Sequence, residues 1–280
     1  MAVQKPQDQY CQAGNIKTRF WAAGEKGSAV ILLHPGLSSV ENWAFNINSL
    51  AKNHRVYAID MLGFGYTGLP EPPYSLPKAA QHVSDFLEAQ NMDTANIIGH
   101  CGGGVVSLYF AFQFPAKLEK LILVSSWGLG KEGPFITRLG TLPLIGDLLM
   151  RPNRKSADMI MKMCVYDPTV LTDEMIDDFY RCMSLPGAQK AYMAVFRAIG
   201  NFGGPRPEIL HYIRNNLVNI TVPSMIIWGK QDRSLPVEHA NAAKEGIPNA
   251  GLHIFDHCGH LPPLERPEEF NNLVLEFLAT

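Results

Sequence analysis

The sequence is short of several features that would commit it to a class of function. No apolar run approaches the roughly 18 residues that a spanning helix needs. The stretch from Met1 to Gln12 is polar and lacks the basic, apolar and small-residue succession of a signal peptide. A soluble, cytoplasmic protein without a membrane partner is expected. Charge of one sign never accumulates: 24 basic and 26 acidic residues are scattered along the chain, for a formal net charge of −2. That leaves no electrostatic footprint for nucleic acid. The cysteines, Cys11, Cys101, Cys164, Cys182 and Cys258, are an odd set with no pair at metal-ligand spacing. This argues against both a disulfide framework and a zinc site. No cofactor is called for, and the expected partner is a small, largely apolar molecule.

What is present is enough apolar material for one large core. At 280 residues and 46% hydrophobic, the chain sits near the upper limit of a single domain, so one domain with an insertion is expected. The run Ala29 to Leu33 ends at His34-Pro35-Gly36, as a buried parallel strand does when it stops in a tight loop. A second strand, Arg55 to Ile59, ends at Asp60. Pro77 to Ala89 then shows helical spacing of Ala80, Val83, Phe86 and Leu87. Strands at Ala95 to Ile98 and Leu121 to Val124 flank an apolar helix from Val105 to Phe114. The pattern resumes with strands Ser224 to Trp228 and Leu252 to Phe255 and a closing helix, Pro267 to Leu278. Strands alternating with helices imply an α/β fold with a mostly parallel sheet covered on both faces.

Between these halves, residues 128–216 are rich in Met, Arg and Leu at helical spacing. Breaks fall at Gly130, Pro134, Pro143, Pro152, Pro186 and Gly203-Gly204-Pro205. The reading is a core of residues 1–127 and 217–280 with a helical cap inserted at 128–216. An apolar roof of this kind excludes water and selects substrate. Its candidate lining residues are Met150, Met159, Met161, Met163, Tyr180, Met183, Tyr192, Met193 and Phe196.

The chemistry concentrates at Gly99-His100-Cys101-Gly102-Gly103-Gly104, between a strand and a helix. A nucleophile on a sharp strand-to-helix turn needs small residues two positions to either side, and Gly99 and Gly103 fill those places around Cys101. The following helix offers its free amides and positive dipole end to a thiolate or an oxyanion. Asp232, after strand Ser224 to Trp228, and His260, after strand Leu252 to Phe255, follow in the order nucleophile, acid, base. His253, Asp256 and His257 compete for the last two roles. The loop after the first strand supplies the other half of an oxyanion hole. Pro35 has no amide hydrogen, so Gly36 or Leu37 must join Gly102 as donors. His34 fits a loop-shaping role better than a catalytic one. Ser38, Ser39, Ser125 and Ser126 also lie near this site.

These segments carry a resemblance. The elbow, the run Asp60-Met61-Leu62-Gly63-Phe64-Gly65-Tyr66-Thr67, the stretch Trp228-Gly229-Lys230-Gln231-Asp232, the turn Cys258-Gly259-His260 and the tail from Phe270 to Leu278 are similar to the α/β-hydrolase superfamily. Within it, they resemble the hydrolases of meta-cleavage products and their esterase relatives. The resemblance implies an α/β-hydrolase fold and a Cys101–His260–Asp232 triad. The chain departs from those enzymes in having a cysteine at 101 instead of serine, a shorter oxyanion loop, and Leu261 where a tryptophan usually follows the histidine. The family holds a substrate carboxylate with a cap arginine, and Arg181 lies near that stretch. His34, His100, Trp127 and Leu261 are further candidate substrate contacts.

A thiol ionises far more readily than a hydroxyl, so a cysteine leans less on its base, and its covalent intermediate is a thioester. The leading expectation is therefore a hydrolase of an ester, lactone or thioester. Transfer of the acyl group to an acceptor other than water, carbon–carbon bond hydrolysis of meta-cleavage type, and a non-catalytic ligand-binding module are the alternatives.

Overall fold

The computed structural model describes residues 4–68, 73–133 and 135–280, so the break expected at Pro134 lies outside the described residues. Strands β1 (Gln9–Ala13), β2 (Ile16–Ala23), β3 (Ala29–Leu33), β4 (Arg55–Ile59), β5 (Ala95–His100) and β6 (Leu118–Val124) precede the insertion. A two-residue ribbon, β7 (Gly200–Asn201) and β8 (Gly204–Pro205), lies within it, and β9 (Ser224–Gly229) and β10 (Gly251–Phe255) follow it. Eight of these form one sheet in the order β1-β2-β4-β3-β5-β6-β9-β10. The pairs β1/β2 and β2/β4 are antiparallel and the rest are parallel.

Every residue of β3 and β5 is buried, and the period of two explains how. Ile31, Leu33 and Ile97 enter a core with Val83, Phe86 and Leu108, from helices Leu76–Ala89 and Gly102–Gln113. Val30, Leu32 and Ile98 face the opposite way, onto Trp43, Ile47, Phe270 and Val274. Helices on both faces make each of these strand side chains worth about 1.5–3 kcal/mol of burial. The closing helix, Pro267–Ala279, is set by Phe270, Val274 and Leu278, while Leu273 and Phe277 lie only partly buried at its margin.

The sequence does not announce the hairpin β1–β2, because β1 is mostly exposed and β2 buries the polar Thr18 and Arg19 in one run with Phe20 and Trp21. Arg19 is nevertheless buried, held by Asp8 at 2.6 Å, Glu41 at 2.7 Å and Asp60 at 3.3 Å.

Between β6 and β9 the chain is mainly helical. Helices Arg154–Cys164 and Asp173–Met183 pack around Ala157, Met161, Ile176 and Met183. Their starts are fixed by Asn153 and Thr172, whose side chains accept from the Ser156 and Met175 amides. Helix Ile145–Leu149 lies against Ala188–Ile199, and the Tyr192 hydroxyl donates to the Met150 carbonyl at 2.5 Å. Helix Pro207–Asn216, placed in the insertion by its sequence, packs Tyr212 on Tyr109 and Phe112 of the helix that follows Cys101. No helix among the described residues is long and apolar enough to cross a membrane.

Candidate active site

The Cys101 backbone sits at φ 51°, ψ −106°, a region that side chains avoid at a cost of about 1–3 kcal/mol. The surrounding hydrogen bonds hold it there. Its amide donates to the Val124 carbonyl at 2.9 Å, and its carbonyl accepts from the Trp127 amide at 3.1 Å. The two flanking glycines are required by close approach. A Cβ on Gly99 would overlap the Gly103 carbonyl and the Ser107 hydroxyl, and one on Gly103 would overlap the Leu33 carbonyl.

Asp232 and His260 follow β9 and β10, at the carboxyl end of the parallel strands where open α/β sheets place their sites. His260 donates from Nδ1 to Asp232 Oδ2 at 2.7 Å, which leaves Nε2 as the working nitrogen. The other carboxylate oxygen accepts the Ser234 and Leu235 amides at 2.8 and 2.9 Å. Burial alone would depress the His260 pKa, but Asp232 and Cys101 outweigh it and raise the imidazole well above its ordinary value. The competitors are placed elsewhere: His257 and Asp256 are exposed, and His253 stacks on Phe255.

The first loop lies beside the elbow. The His34 carbonyl accepts the Gly103 amide at 3.1 Å, and the Gly36 nitrogen lies 3.1 Å from where a Gly102 Cβ would stand. Amides at Gly36 and Gly102 therefore neighbour one another next to Cys101, and the Gly36 amide has no acceptor among the described residues. Leu37 turns the chain at φ 64°. Neighbouring amides of this kind can stabilise charge that develops on a carbonyl oxygen.

Two of the anticipated substrate contacts do not face the cavity. His34 is fully buried, donating from Nδ1 to the Pro35 carbonyl at 2.7 Å and accepting the Met61 amide on Nε2 at 2.9 Å. His100 is fully buried too, donating from Nε2 to the His260 carbonyl at 2.7 Å with Asn42 against Nδ1 at 3.3 Å. Burial pushes their pKa values down to about 4 and about 3, so both stay neutral and shape the loops around the site. Arg181 is a third correction. Its side chain is largely exposed and pairs with Asp178 at 3.0 Å, while Phe179, two residues earlier on the same helix, lines the cavity instead. Helical rotation of 100° per residue separates those two directions.

The cavity itself has a volume of about 790 Å³, within the usual range for small-molecule sites. Cys101, His260, Gly36, Gly102, Leu37, Trp127 and Leu261 line it. From residues 128–216 come Met150, Met161, Met163 and Phe196. Met159 is exposed, and Tyr180, Met183, Tyr192 and Met193 are not in its wall. Ser38 and Ser39 line it, whereas Ser125 and Ser126 are buried outside it. No sequence signal marks Cys164, whose carbonyl accepts the His260 amide at 2.6 Å, or the cavity residues Ile160, Met175 and Arg138.

The family model for the alpha/beta hydrolase fold matches residues 28–267. The chain belongs to that family. It is 33% identical over 276 residues to the 2-hydroxy-6-oxo-6-(2'-aminophenyl)hexa-2,4-dienoic acid hydrolase of Metapseudomonas resinovorans, covering 97% of this chain and 91% of the relative. It is 30% identical to the 2-hydroxy-6-oxo-2,4-heptadienoate hydrolase of Pseudomonas putida, covering 95% and 94%. Among solved structures it is similar to a serine hydrolase involved in carbazole degradation, with a TM-score of 0.82 at 31% identity and 98% of each chain covered. A meta-cleavage product hydrolase from Pseudomonas fluorescens IP01 gives the same TM-score at 26% identity, with 97% of each chain covered.

Proposed function

We propose that this protein hydrolyses a carbon–carbon bond beside a carbonyl in a small substrate of the meta-cleavage type, through an acyl group carried on Cys101. The observation that carries this reading is the 2.7 Å pair of His260 and Asp232 in one cavity with a cysteine held at φ 51° on a strand-to-helix turn. The likeness to dienoate hydrolases across nearly the whole chain supports the substrate class.

In the proposed reaction the Cys101 sulfur adds to the substrate carbonyl, and the oxygen takes up negative charge facing the Gly36 and Gly102 amides. The bond from that carbon to the leaving carbon then breaks. Breaking that bond in the 2-oxo tautomer of the substrate sends its electron pair through the neighbouring double bond onto the 2-oxo oxygen, so the leaving group departs as a conjugated enolate and takes a proton from the His260 imidazolium. Water, deprotonated by His260, adds to the thioester, and the acid and free thiol are released. Asp232 holds the imidazole in the tautomer that both steps need. Residues 128–216 act as the cap, with helix Pro207–Asn216 serving the core on which it packs.

A second reading, cleavage of an ester, lactone or thioester, is favoured by the cysteine itself and by Phe179 standing in the cavity wall in place of Arg181. One comparison separates the two. 2-Hydroxy-6-oxo-2,4-heptadienoate and p-nitrophenyl acetate deliver the same acetyl group from a carbon and an oxygen leaving group. Turnover of the dienoate to acetate and 2-hydroxypenta-2,4-dienoate supports carbon–carbon hydrolysis. Turnover of the ester alone assigns the protein to the second reading.

A further inference from the structure

The backbone that carries His260 lies between β10, which ends at Phe255, and the short helix Pro262–Glu265, so neither a strand ladder nor a helix holds it. Gly259, His260 and Leu261 are all buried, and a buried amide left without an acceptor is costly. The Glu265 carboxylate serves the amides on either side of the histidine. Its Oε1 accepts from Gly259 at 2.9 Å and from Leu261 at 3.1 Å. The amide between them, that of His260, donates to the Cys164 carbonyl at 2.6 Å. Glu265 Oε2 turns to the same segment and accepts the Tyr166 amide at 2.7 Å. Cys164 and Tyr166 lie at the end of helix Arg154–Cys164, between β6 and β9, and they rest directly on the turn. A Cβ on Gly259 would stand 2.6 Å from the Cys164 carbonyl oxygen and 2.8 Å from the Tyr166 nitrogen, and the Tyr166 and His257 rings meet edge-on with centroids 5.4 Å apart. One carboxylate therefore joins two parts of the chain, with Oε1 on the His260 turn and Oε2 on the inserted residues. Bonds to an ionised acceptor are about twice as strong as those between neutral groups.

We propose that Glu265 is a positioning residue, which fixes the turn so that the His260 imidazole meets Asp232 and faces Cys101, and which ties that geometry to residues 164–166. The placement of the inserted segment is thereby felt at the base. Glu265 acts through the backbone of its neighbours and does not touch the reacting atoms. The catalytic consequence rests on the reading of Cys101 as nucleophile, but the hold on His260 does not.

Two variants and two measurements test this. Glu265→Ala removes every bond, whereas Glu265→Gln keeps an oxygen for the Gly259 and Leu261 amides and turns a donor toward the Tyr166 amide. Circular dichroism establishes that each keeps the fold. With 2-hydroxy-6-oxo-2,4-heptadienoate or p-nitrophenyl acetate, whichever the wild type turns over, Glu265→Ala lowers kcat about 10- to 100-fold and changes KM less than about threefold. Glu265→Gln recovers part of that loss and stays about 3- to 10-fold below wild type. Proton NMR needs no turnover: the downfield resonance of the His260 Nδ1 proton, identified by its loss in His260→Ala, moves or broadens in Glu265→Ala and lies nearer its wild-type position in Glu265→Gln. Wild-type kcat in both variants overturns the positioning role, and so does a loss of kcat with the His260 resonance unmoved. If Glu265→Ala does not fold, Glu265→Gln decides, and wild-type kcat with an unmoved resonance overturns the tie to residues 164–166. A resonance that depends on Glu265, in a wild type that turns over neither compound, keeps the hold on His260 and overturns the Cys101 reading instead.

Discussion

His100, the residue immediately before Cys101, donates a hydrogen bond from Nε2 to the backbone carbonyl of His260 at 2.7 Å. The turn that presents the candidate nucleophile is thereby tied directly to the loop that presents its base. The two imidazoles also lie 5.4 Å apart, centroid to centroid. Since burial holds the His100 pKa down to about 3, the donor persists through the physiological range.

Replacing His100 by Phe keeps a ring in this position and removes the hydrogen bonds. A drop in kcat of about 10- to 100-fold is expected, because small displacements of a base are costly to catalysis. The stability loss is about 1–2 kcal/mol. Steady-state kinetics and urea unfolding read the two effects, and an unchanged kcat would show that the tie has no positioning role.

Asp232→Asn tests the pH behaviour of the pair. In the wild type, burial lowers and then Asp232 and Cys101 raise the His260 pKa, with a net rise well above 6.5. The imidazolium therefore persists as pH increases, and activity is lost on the alkaline side when that proton leaves. Removing the carboxylate charge moves this alkaline limb of kcat/KM to lower pH and reduces the maximum about 100-fold. A limb that stays in place means that the transition belongs to another group.

Asp60 offers a stability measurement away from the site. Burial pushes its carboxyl up to about 6, against the opposing pull of Arg19 and the Tyr66 and Val40 amides. A folded pKa above the unfolded one means that the folded state prefers the proton. The stability contribution is then complete below about pH 4 and lost as pH rises through about 6. The difference in unfolding free energy, wild type minus Asp60→Asn, should fall by about 1–3 kcal/mol between pH 4 and pH 7.5. Urea titrations at the two pH values check this, and a difference that grows with pH contradicts it.

The core was legible because its strands are buried on both faces and read as short apolar runs ending in glycine, as Ala29–Leu33 does before His34-Pro35-Gly36. The elbow was legible because its glycines are forced by backbone contact within a few residues. The hairpin β1–β2 was not, since Arg19 looks like a surface residue until Asp8, Glu41 and Asp60, remote in the chain, surround it. Between β6 and β9 the chain is mainly helical, but which face of each helix looks inward depends on packing between helices. Arg181 and Phe179 differ by only two positions, and Met159 and Met161 likewise, yet one member of each pair meets the cavity and the other does not. His34 and His100 lie beside the chemistry in sequence and turn away from it in space, because backbone groups from distant loops claim their nitrogens.

The most direct measurement is mass spectrometry of the protein quenched in acid during turnover of p-nitrophenyl acetate. An acetyl group on the peptide that contains Cys101, absent from Cys101→Ala and still present when Cys11, Cys164, Cys182 and Cys258 are each replaced, is the result expected. Turnover that continues in Cys101→Ala, or an acetyl group on another residue, would contradict Cys101 as the nucleophile.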